Sequence, residues 1–442
     1  MAANFENGIF FSTVELTLSN SDGQTAVFNL NSVEDDKLKN GKGGMYVKDL
    51  TYTRVSGGGS GNVLDVNIID NTSCGIEQKL SQYFRNLTFS YTGQTIVGGK
   101  VQENKHGPYN MLVTNWTANI TPYGSQIKLS AISIGLAHLK RSLNLEKDKK
   151  GKTVDYIQGA PHEVVKKVFD MCGIAYKIRD AEGKDVNLIE ETETIYEPDK
   201  EGDNQDKPVP KRYKYKGGSA FDFLNGQVRQ DAKSKNVNHK RSFVLRYYDK
   251  LSDTGKSVGV FMSEDGFIDN SILTRVHDFS FEYNTKNSNI INWSPTYEGK
   301  TLLGICGVKL TYTNEKGKTG YVFAEGSKDP KDDGERYLEY CFRGSKEEAQ
   351  AAADFMLRNR RFSAQKATLT VVNYTNVEVG DIIKVKIIEK DGAFHHTSGM
   401  WYVKKVLDQI SGGIITTKME LQLFKPLDEV DQTIADRYIL PY

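Results

Sequence analysis

The chain has 442 residues and a formal net charge of +1, because 58 lysines and arginines nearly balance 57 aspartates and glutamates. This balance excludes a global positive field that would attract nucleic acid or an acidic membrane. The length suggests about three domains, and a hydrophobic fraction of 38% excludes a disordered chain.

The sequence shows neither a secretory signal nor a membrane-spanning segment. Residues 1–11 lack a basic region followed by an apolar run, and no apolar stretch approaches the ~18 residues of a membrane span. Four cysteines lie singly, without the close pairs of a zinc ribbon or redox motif. We therefore expect a soluble protein made in a cytosol, with no membrane anchor. The cysteines predicted to be small buried residues are Cys74, Cys172, Cys306 and Cys341.

The first predicted hairpin starts with VKDLTYTRV, which contains the tetrapeptide LTYT. A glycine-rich turn, SGGGSG, separates it from the alternating pattern NVLDVNIID. Ser73 then caps a predicted helix over CGIEQKLSQYF, where Ile76, Leu80 and Tyr83 or Phe84 recur at helical spacing. Four further strand patterns follow the helix, namely LTFSYTG, TIVGGKV, MLVTNWTANI and QIKLSAISI.

The middle of the chain predicts a small α/β insertion. One helix begins at Pro161 and ends near Gly173, a second is capped by Ser219, and RSFVLRYYD with SVGVFMS forms a hairpin. Between the two helices, an acidic stretch and the basic stretch KPVPKRYKYK together cover residues 190–216. Alternating charge blocks with proline and glycine are typical of a solvated loop. A loop that docks a partner is the alternative.

The tetrapeptide LTYT recurs at Leu310–Thr313, followed by the turn NEKGKTG and the strand pattern YVFAEG. Ser345 and Glu348 form a capping box at the start of the next helix. The predicted apolar stripe of that helix is Ala349, Ala352 and Met356. Four strand patterns follow again, namely KATLTVV, VEVGDIIKVKII, MWYVKKVLDQI and IITTKMELQLF.

Both copies end in a hairpin with the same spacing of apolar residues and a turn at glycine, Gly124 or Gly413. The matching positions are Leu112, Val113, Trp116 and Ile120 in the first copy and Tyr402, Val403, Val406 and Ile410 in the second. We therefore predict an internal duplication that places Tyr52 and Tyr312 on equivalent strands. Two unrelated β domains with common hairpin patterns are the alternative.

The last strand pattern alternates strictly, which predicts one buried face and one face in water. The predicted buried face is Ile415, Thr417, Met419, Leu421 and Leu423. The predicted solvent face is Thr416, Lys418, Glu420 and Gln422.

The search for catalytic and ligand-binding motifs finds only near misses. HEVVK at His162–Lys166 lacks the second histidine of a zinc-protease helix. GKT at Gly151–Thr153 lacks the upstream glycine of a phosphate-binding loop, because Glu146 is at that position. His395 and His396 are adjacent, and adjacent strand residues face opposite sides, so we expect no shared metal unless a loop brings them together. The sequence predicts no catalytic, cofactor-binding or metal-binding residues, and no enzyme.

Three segments together resemble the baseplate hub of contractile tails, a family that includes hubs of myovirus-type phages, tailocins and the hub portion of type VI secretion spikes. The segments are NSNIINWSPTYEG (Asn287–Gly299), NRRFSAQKATLTVVNYTNVEVGDIIKVKI (Asn359–Ile387) and SGMWYVKKVLDQISGGIITTKMELQLF (Ser398–Phe424). The resemblance is a profile over most of the chain and is strongest in its last part. The charged segment 190–216 matches nothing in the family pattern.

The resemblance implies a mainly β, α+β fold with two similar antiparallel β-barrel or sandwich domains of tail-tube type, each with one helix. We assign the first such domain to residues 1–140, the inserted α/β region to 141–240, a β connecting region to 241–300, and the second domain to 301–425. Residues 426–442 are predicted to be a C-terminal docking tail, because Val430, Ile434 and Ile439 are apolar in a segment too short for its own core.

The resemblance further implies a homotrimer in the baseplate of a virion tail, assembled in the bacterial host cytoplasm. Three two-domain chains would form a six-fold-like ring between the tail tube and a central spike. The expected partners are the tail tube or tube-initiator protein, the spike, other baseplate proteins, the tape measure protein, and DNA in transit without sequence recognition. No cofactor is implied. The alternatives are a tail-associated peptidoglycan hydrolase and a carbohydrate-binding β protein of a tail fibre.

Overall fold

A computed structural model describes the chain in segments, and its residues divide into two compact units. The first unit comprises Met1–Thr274, Val371–Gly380 and Lys405–Lys418, and the second comprises Arg275–Thr370, Asp381–Lys404 and Met419–Tyr442. The described residues are 9–31, 44–55, 62–70, 75–97, 100–122, 124–145, 155–180, 182–198, 208–236, 239, 243–251, 256–270, 280–283, 290–297, 305–314, 317–325, 336–363, 365–372, 377–389 and 391–426. The predicted mainly β, α+β class is confirmed.

Seven strands of the first unit form a closed sheet. They are β1 (Ile9–Ser19), β2 (Thr25–Asn31), β3 (Met45–Val55), β4 (Val63–Asp70), β5 (Asn86–Val97), β6 (Lys100–Thr121) and β7 (Gly124–Ser133). The pairings run β1–β5–β6–β7–β4–β3–β2 and return to β1. All are antiparallel except the single parallel contact of Asn31 on β2 with Tyr46 on β3. The closed circuit leaves the apolar face of each strand directed into one core.

The core of this closed sheet follows from strand alternation and from one short helix. On β4, Leu64, Val66 and Ile68 are buried while the residues between them are more exposed. Helix α1 (Gly75–Ser81) adds Ile76 and Leu80 to the same core. Both were predicted as its apolar face. The cap predicted at Ser73 lies outside the described residues.

Three strands, not the predicted four, follow α1. LTFSYTG and TIV belong to one strand, β5, and the chain from Lys100 to Thr121 is one long strand, β6. Strand β5 pairs along its length with the first part of β6, from Asn86 opposite Leu112 to Val97 opposite Lys100. The prediction was wrong because a long hairpin continues through polar residues that resemble a break, and cross-strand pairing outweighs that local signal.

The described residues of the inserted region form five helical segments and eight short or medium strands. The helical segments are α2 (Ile134–Leu139), α3 (Pro161–Cys172), α4 (Ala220–Phe223), a π-helical turn (Leu224–Val228) and α5 (Glu264–Asp269). The strands are β8 (Tyr156–Gln158), β9 (Lys177–Arg179), β10 (Asp185–Asn187), β11 (Tyr196–Pro198), β12 (Pro208–Pro210), β13 (Arg212–Lys214), β14 (Phe243–Leu251) and β15 (Ser257–Ser263).

The predicted helix boundaries of this region are confirmed by their caps. Helix α3 begins at Pro161, and Gly173 ends it in the left-handed conformation with φ of 69°. Ser219 caps α4 by accepting a hydrogen bond from the backbone N–H of Asp222. The boundary predicted at residue 240 divides one core, since Phe243 and Phe261 of the β14–β15 hairpin pack in the same cluster as Phe169 of α3. The hairpin therefore packs as part of the insertion.

The second unit contains a three-stranded sheet covered by a long helix. Its strands are β18 (Ile305–Thr313), β19 (Thr319–Glu325) and β20 (Arg336–Arg343), with β18 between antiparallel β19 and parallel β20. Helix α6 (Lys346–Ser363) starts at the predicted capping box, where Ser345 N–H donates to Glu348 and Glu348 N–H donates to Ser345 Oγ. The buried stripe is Ala349, Ala352, Ala353 and Leu357. Met356, predicted for this stripe, is 37% exposed.

The predicted equivalence of Tyr52 and Tyr312 is wrong. Tyr52 lies on β3 within the closed sheet of the first unit, whereas Tyr312 lies on β18 beside the parallel strand β20. Strand β20 was not predicted, and it has no counterpart between β4 and α1 among the described residues. The two LTYT copies share local hairpin chemistry but belong to different sheets.

The other strands of the second unit follow the order β17–β21–β24–β23, and β22 pairs with both β23 and β16. They are β16 (Ser280–Tyr283), β17 (Ile290–Tyr297), β21 (Gln365–Val372), β22 (Ile382–Ile387), β23 (Gly399–Ser411) and β24 (Ile414–Pro426), with residues 405–418 of the last hairpin belonging to the first unit. The predicted alternation of β24 is confirmed, because Ile415, Thr417, Met419, Leu421 and Leu423 are all buried.

Candidate functional site

A buried polar network in the first unit fastens residues near the end of the chain to the closed sheet. Strand β23 pairs with β3, which places Asp408 beside Arg54. The two side chains form an ion pair. Tyr91 Oη donates to Asp408 Oδ2 at 2.6 Å, and Thr417 Oγ1 donates to Oδ1 at 2.7 Å. Glu378 Oε1 lies 3.0 Å from Arg54 Nη1. We call these five residues the Arg54–Asp408 network.

The electrostatics of this network are those of a fully enclosed ion pair. Asp408 is completely buried and Arg54 is 2% exposed. Burial raises the pKa of the Asp408 carboxyl, while Arg54, Tyr91 and Thr417 oppose that shift. Removing either charge would leave its partner buried without compensation, which costs far more than the net value of the pair. The pair therefore helps to hold β23 on β3 only while both charges, Arg54 and Asp408, are present.

The sequence contains a signal for this network that strand patterning alone can identify. Arg54 has the same alternation phase as Leu50 and Tyr52, which are buried on β3. Asp408 has the same phase as Val406 and Ile410, which are buried on β23. A charged residue on a predicted buried face calls for an oppositely charged partner. The two residues are 354 positions apart, so the partner could not be identified from the sequence.

A second cluster surrounds Glu190 in the inserted region. Its Oε2 accepts hydrogen bonds from the backbone N–H and the hydroxyl of Ser263, both at 2.7 Å. Its Oε1 accepts from Ser234 and lies 2.5 Å from His239 Nδ1. Burial would raise the pKa of Glu190, but the hydrogen bonds from His239, Ser234 and Ser263 outweigh it and lower the pKa. Glu190 thus links three chain segments in its ionised form.

The charged segment 190–216 is folded where the structure describes it. Strands β11 and β12 pair with each other, and β13 pairs with β8. Lys211 Nζ lies 2.6 Å from Asp231 Oδ2, and the Arg212 N–H donates to Glu197. Neighbours within the insertion thus pair charges and backbone groups of these two flanks, while residues of β11 such as Tyr196 remain exposed to solvent. Residues 199–207, between the flanks, lie outside the described residues.

His162, the first residue of the HEVVK segment, has a structural role in the inserted region. His162 lies at the start of α3, and its Nδ1 accepts a hydrogen bond from the Thr192 N–H at 3.1 Å. The His162 N–H donates in return to Thr192 Oγ1 at 3.2 Å. Burial, followed by the charge of Lys166, lowers the pKa of His162. The ring is therefore held neutral, with Nδ1 as an acceptor.

Stability is expected to fall as the pH is lowered from 7 to 5, in part through His162. The unfolded histidine takes up a proton near its ordinary pKa of about 6.5, whereas the folded residue resists protonation. The stability that His162 contributes is complete above the pKa of the unfolded histidine, and it is lost as the pH falls through the lowered pKa of the folded residue. His162→Asn should reduce this slope in urea titrations at several pH values. Exposed His396→Asn is the control, and an unchanged slope in His162→Asn would contradict the assignment.

His395 and His396 lie in a turn, with ring centroids 4.0 Å apart. The exception stated for this pair therefore applies, because neither histidine is on a strand. His395 Nδ1 already accepts a hydrogen bond from the Thr397 N–H. Within the described ranges, no group of three or more His, Cys, Asp and Glu side chains is placed to hold a metal ion.

Two cysteines that were predicted to be buried, Cys172 and Cys341, are not buried. The side chains of Cys74 and Cys306 are outside the described part of the chain. Cys341 is exposed and Cys172 is half-buried, and both are free thiols. Cys341 lies on β20. The described helices include none that is long and apolar enough to cross a membrane. The predicted docking tail beyond Pro426 also lies outside the described residues.

No protein-family model matches the chain, and no curated protein is significantly similar to it. Solved structures do resemble it. The 43 kDa tail protein of prophage MuSo2 from Shewanella oneidensis matches with a TM-score of 0.47 and 10% identity, over 92% of this chain and 97% of that one. Prophage tail protein gp18 from Listeria monocytogenes matches with a TM-score of 0.44 and 10% identity, over 95% and 98%.

A third similar structure is the Escherichia coli protein c3393, described as a type VI secretion component with structural similarity to bacteriophage T4 tail proteins gp27 and gp5. It matches with a TM-score of 0.41 and 8% identity, over 87% of this chain and 75% of that one. These three solved structures are thus two prophage tail proteins and one type VI secretion component.

Proposed function

We propose that the chain is a non-enzymatic baseplate hub of a contractile tail. Three copies form a ring that joins the tail tube to the central spike and surrounds the channel for tape measure and genome. Each chain has two β-rich units, so a trimer would contain six β-rich units around its three-fold axis. The family resemblance, rather than an equivalence of the two units, supports a place between a six-fold tube and a three-fold spike.

The observation that carries this proposal is where the three resembling segments lie in the fold. Asn287–Gly299 contains β17, Asn359–Ile387 contains β21 and β22, and Ser398–Phe424 contains the β23–β24 hairpin. These strands are consecutive neighbours in the order β17–β21–β24–β23–β22. Segments that are separate in the sequence, and that together carry the resemblance, thus form one structural element.

The charge balance of the chain supports a passage for DNA rather than a binding site. Counterion release makes a strongly basic wall retain DNA through its phosphates. A net charge of +1 on 442 residues avoids this retention. The tube or tube-initiator protein, the spike and other baseplate proteins are the partners of the ring, and its location is the virion tail.

The proposal predicts the mass and shape of the purified protein. Light scattering coupled to size exclusion should give three times the chain mass of 49.6 kDa, and negative-stain images should show rings with a central channel. A chain that remains monomeric at high concentration, with no rings when the spike protein is added, would sink the proposal. Cell-wall clearing by the purified protein would favour the hydrolase alternative instead.

A further inference from the structure

Strands β8 and β13 form a two-stranded ribbon with one buried face and one face in water. Ile157 of β8 and Tyr213 of β13 are paired opposite each other, and both belong to the core of the inserted region. Side chains alternate along a strand, so Arg212 and Lys214 of β13 lie on the other face, where Lys214 is exposed. The ribbon therefore presents two neighbouring cations on the face turned away from the core.

Backbone hydrogen bonds show that one edge of β13 is open at Lys214. Just beyond the strand, the Tyr215 N–H donates to the Asp155 carbonyl at 2.7 Å. Antiparallel strands exchange hydrogen bonds at every second residue, so the N–H and carbonyl of Lys214 point away from β8. Among the described strands, β13 pairs with β8 alone. The backbone groups of Lys214 are therefore placed to receive a further strand.

Glu197 shows that a carboxylate fits at this edge. Its Oε1 accepts a hydrogen bond from the Arg212 N–H at 3.0 Å. Arg212 is two residues from Lys214, so its backbone groups point to the same edge. The contact with Glu197 closes the Arg212 end of the edge and leaves the Lys214 end to an added strand.

The Lys214 end of the edge carries positive charge. Lys216 has the same alternation phase as Lys214 and is exposed. Both belong to the basic stretch KPVPKRYKYK. Residues two apart on a strand are about 6.6 Å apart, and the same spacing holds in an added strand. Two acidic residues separated by one residue would therefore meet Lys214 and Lys216 together.

Two other occupants fit this edge less well. A second copy of β13 would bring lysine and arginine side chains opposite each other, and like charges on paired strands are destabilising. Single-stranded nucleic acid needs aromatic rings on which bases stack, but the guanidinium of Arg212 lies over the Tyr156 ring, 5.3 Å from its centroid. Phosphate oxygens also cannot donate a hydrogen bond to the outward carbonyl of Lys214, whereas a peptide strand supplies both a donor and an acceptor.

We propose that the open edge of β13 binds an extended acidic segment of a partner protein. One carboxylate lies opposite Lys214, and a second, two residues along the segment, lies near Lys216. The N–H and carbonyl of Lys214 pair with the backbone of the segment, and the ammonium groups select its charge. This inference concerns the inserted region and does not rest on the proposed hub function.

Fluorescence anisotropy tests the proposal with the full chain and a labelled peptide of alternating glutamate and threonine. We expect saturable binding that weakens as salt is added, because exposed charges are screened. Glutamine in place of glutamate should weaken binding by about tenfold. A peptide that is N-methylated at each glutamate keeps its charges but cannot donate to the Lys214 carbonyl, and it should show no saturable binding.

Matched variants locate the contact on β13. Lys214→Glu should weaken binding by about tenfold, because an attractive pair across the strands becomes a repulsive one. Lys177→Glu is the control and should leave binding unchanged, since Lys177 is also an exposed lysine on a short strand of the inserted region.

Three results would overturn the proposal. Equal binding of the N-methylated and unmodified peptides would mean that charge alone attracts them. Tighter binding of single-stranded oligothymidylate than of the acidic peptide would make nucleic acid the occupant, and absence of saturable peptide binding would leave the edge without an acidic partner. None of these results bears on the mass or ring shape expected for a hub.

Discussion

Replacement of Asp408 by alanine is expected to lower the free energy of unfolding by about 3–5 kcal/mol, the range for breaking a buried ion pair from one side. Arg54 would remain 2% exposed with its principal partner gone. Tyr91 Oη and Thr417 Oγ1 would also lose their acceptor. Urea unfolding followed by tryptophan fluorescence measures the change.

The control for Asp408→Ala is an aspartate on the surface of the same sheet. Asp65 accepts a hydrogen bond from Ser130 at an exposed site, so Asp65→Ala should change stability by no more than about 0.5 kcal/mol. The double variant Arg54→Leu/Asp408→Leu should recover much of the loss, because removing both charges abolishes the desolvation cost. If Asp408→Ala were as stable as Asp65→Ala, the network would not fasten β23 to β3.

Local elements of this fold could be predicted because their signals lie within a few residues. Pro161 and Gly173 bound α3, and Ser345 with Glu348 starts α6, since caps satisfy backbone groups within one helical turn. The alternation of β24 identified its buried face for the same reason. A period of two needs only the strand itself.

Sheet membership could not be predicted, because it depends on pairings between distant residues. The LTYT copies have the same hairpin pattern, yet β3 joins a closed antiparallel sheet while β18 pairs with a parallel strand. Similarly, nothing near Asp408 in the sequence indicates Arg54. The flanks of the charged segment 190–216 were assigned to solvent because Lys211 and Asp231 are twenty positions apart, although they form an ion pair.

Replacement of Gly259 by alanine is expected to cost about 1–3 kcal/mol, the usual range for overpacking a filled core. Gly259 lies on β15, every residue of which is buried. A Cβ there would lie 2.5 Å from Cε2 of Phe169 and 2.8 Å from Cγ2 of Ile174. The backbone cannot retreat easily, since the Gly259 N–H donates to the Ala175 carbonyl at 2.8 Å. Helix α3 thus packs closely on β15 because position 259 has no side chain.

A double-mutant cycle separates this close approach from a general loss of packing. Phe169→Ala alone should cost about 3–5 kcal/mol, because Phe169 is fully buried in the core of the insertion. In the double variant, the alanine at 259 enters the space that the ring vacates. The double variant should therefore lose about 0.5–3 kcal/mol less unfolding free energy than the sum of the two single variants. Gly75→Ala is the control, because its Cβ would make only an ordinary contact with Phe28 at 3.8 Å. Strict additivity would mean that the Phe169 ring does not limit position 259, and that the packing of α3 on β15 tolerates a side chain there.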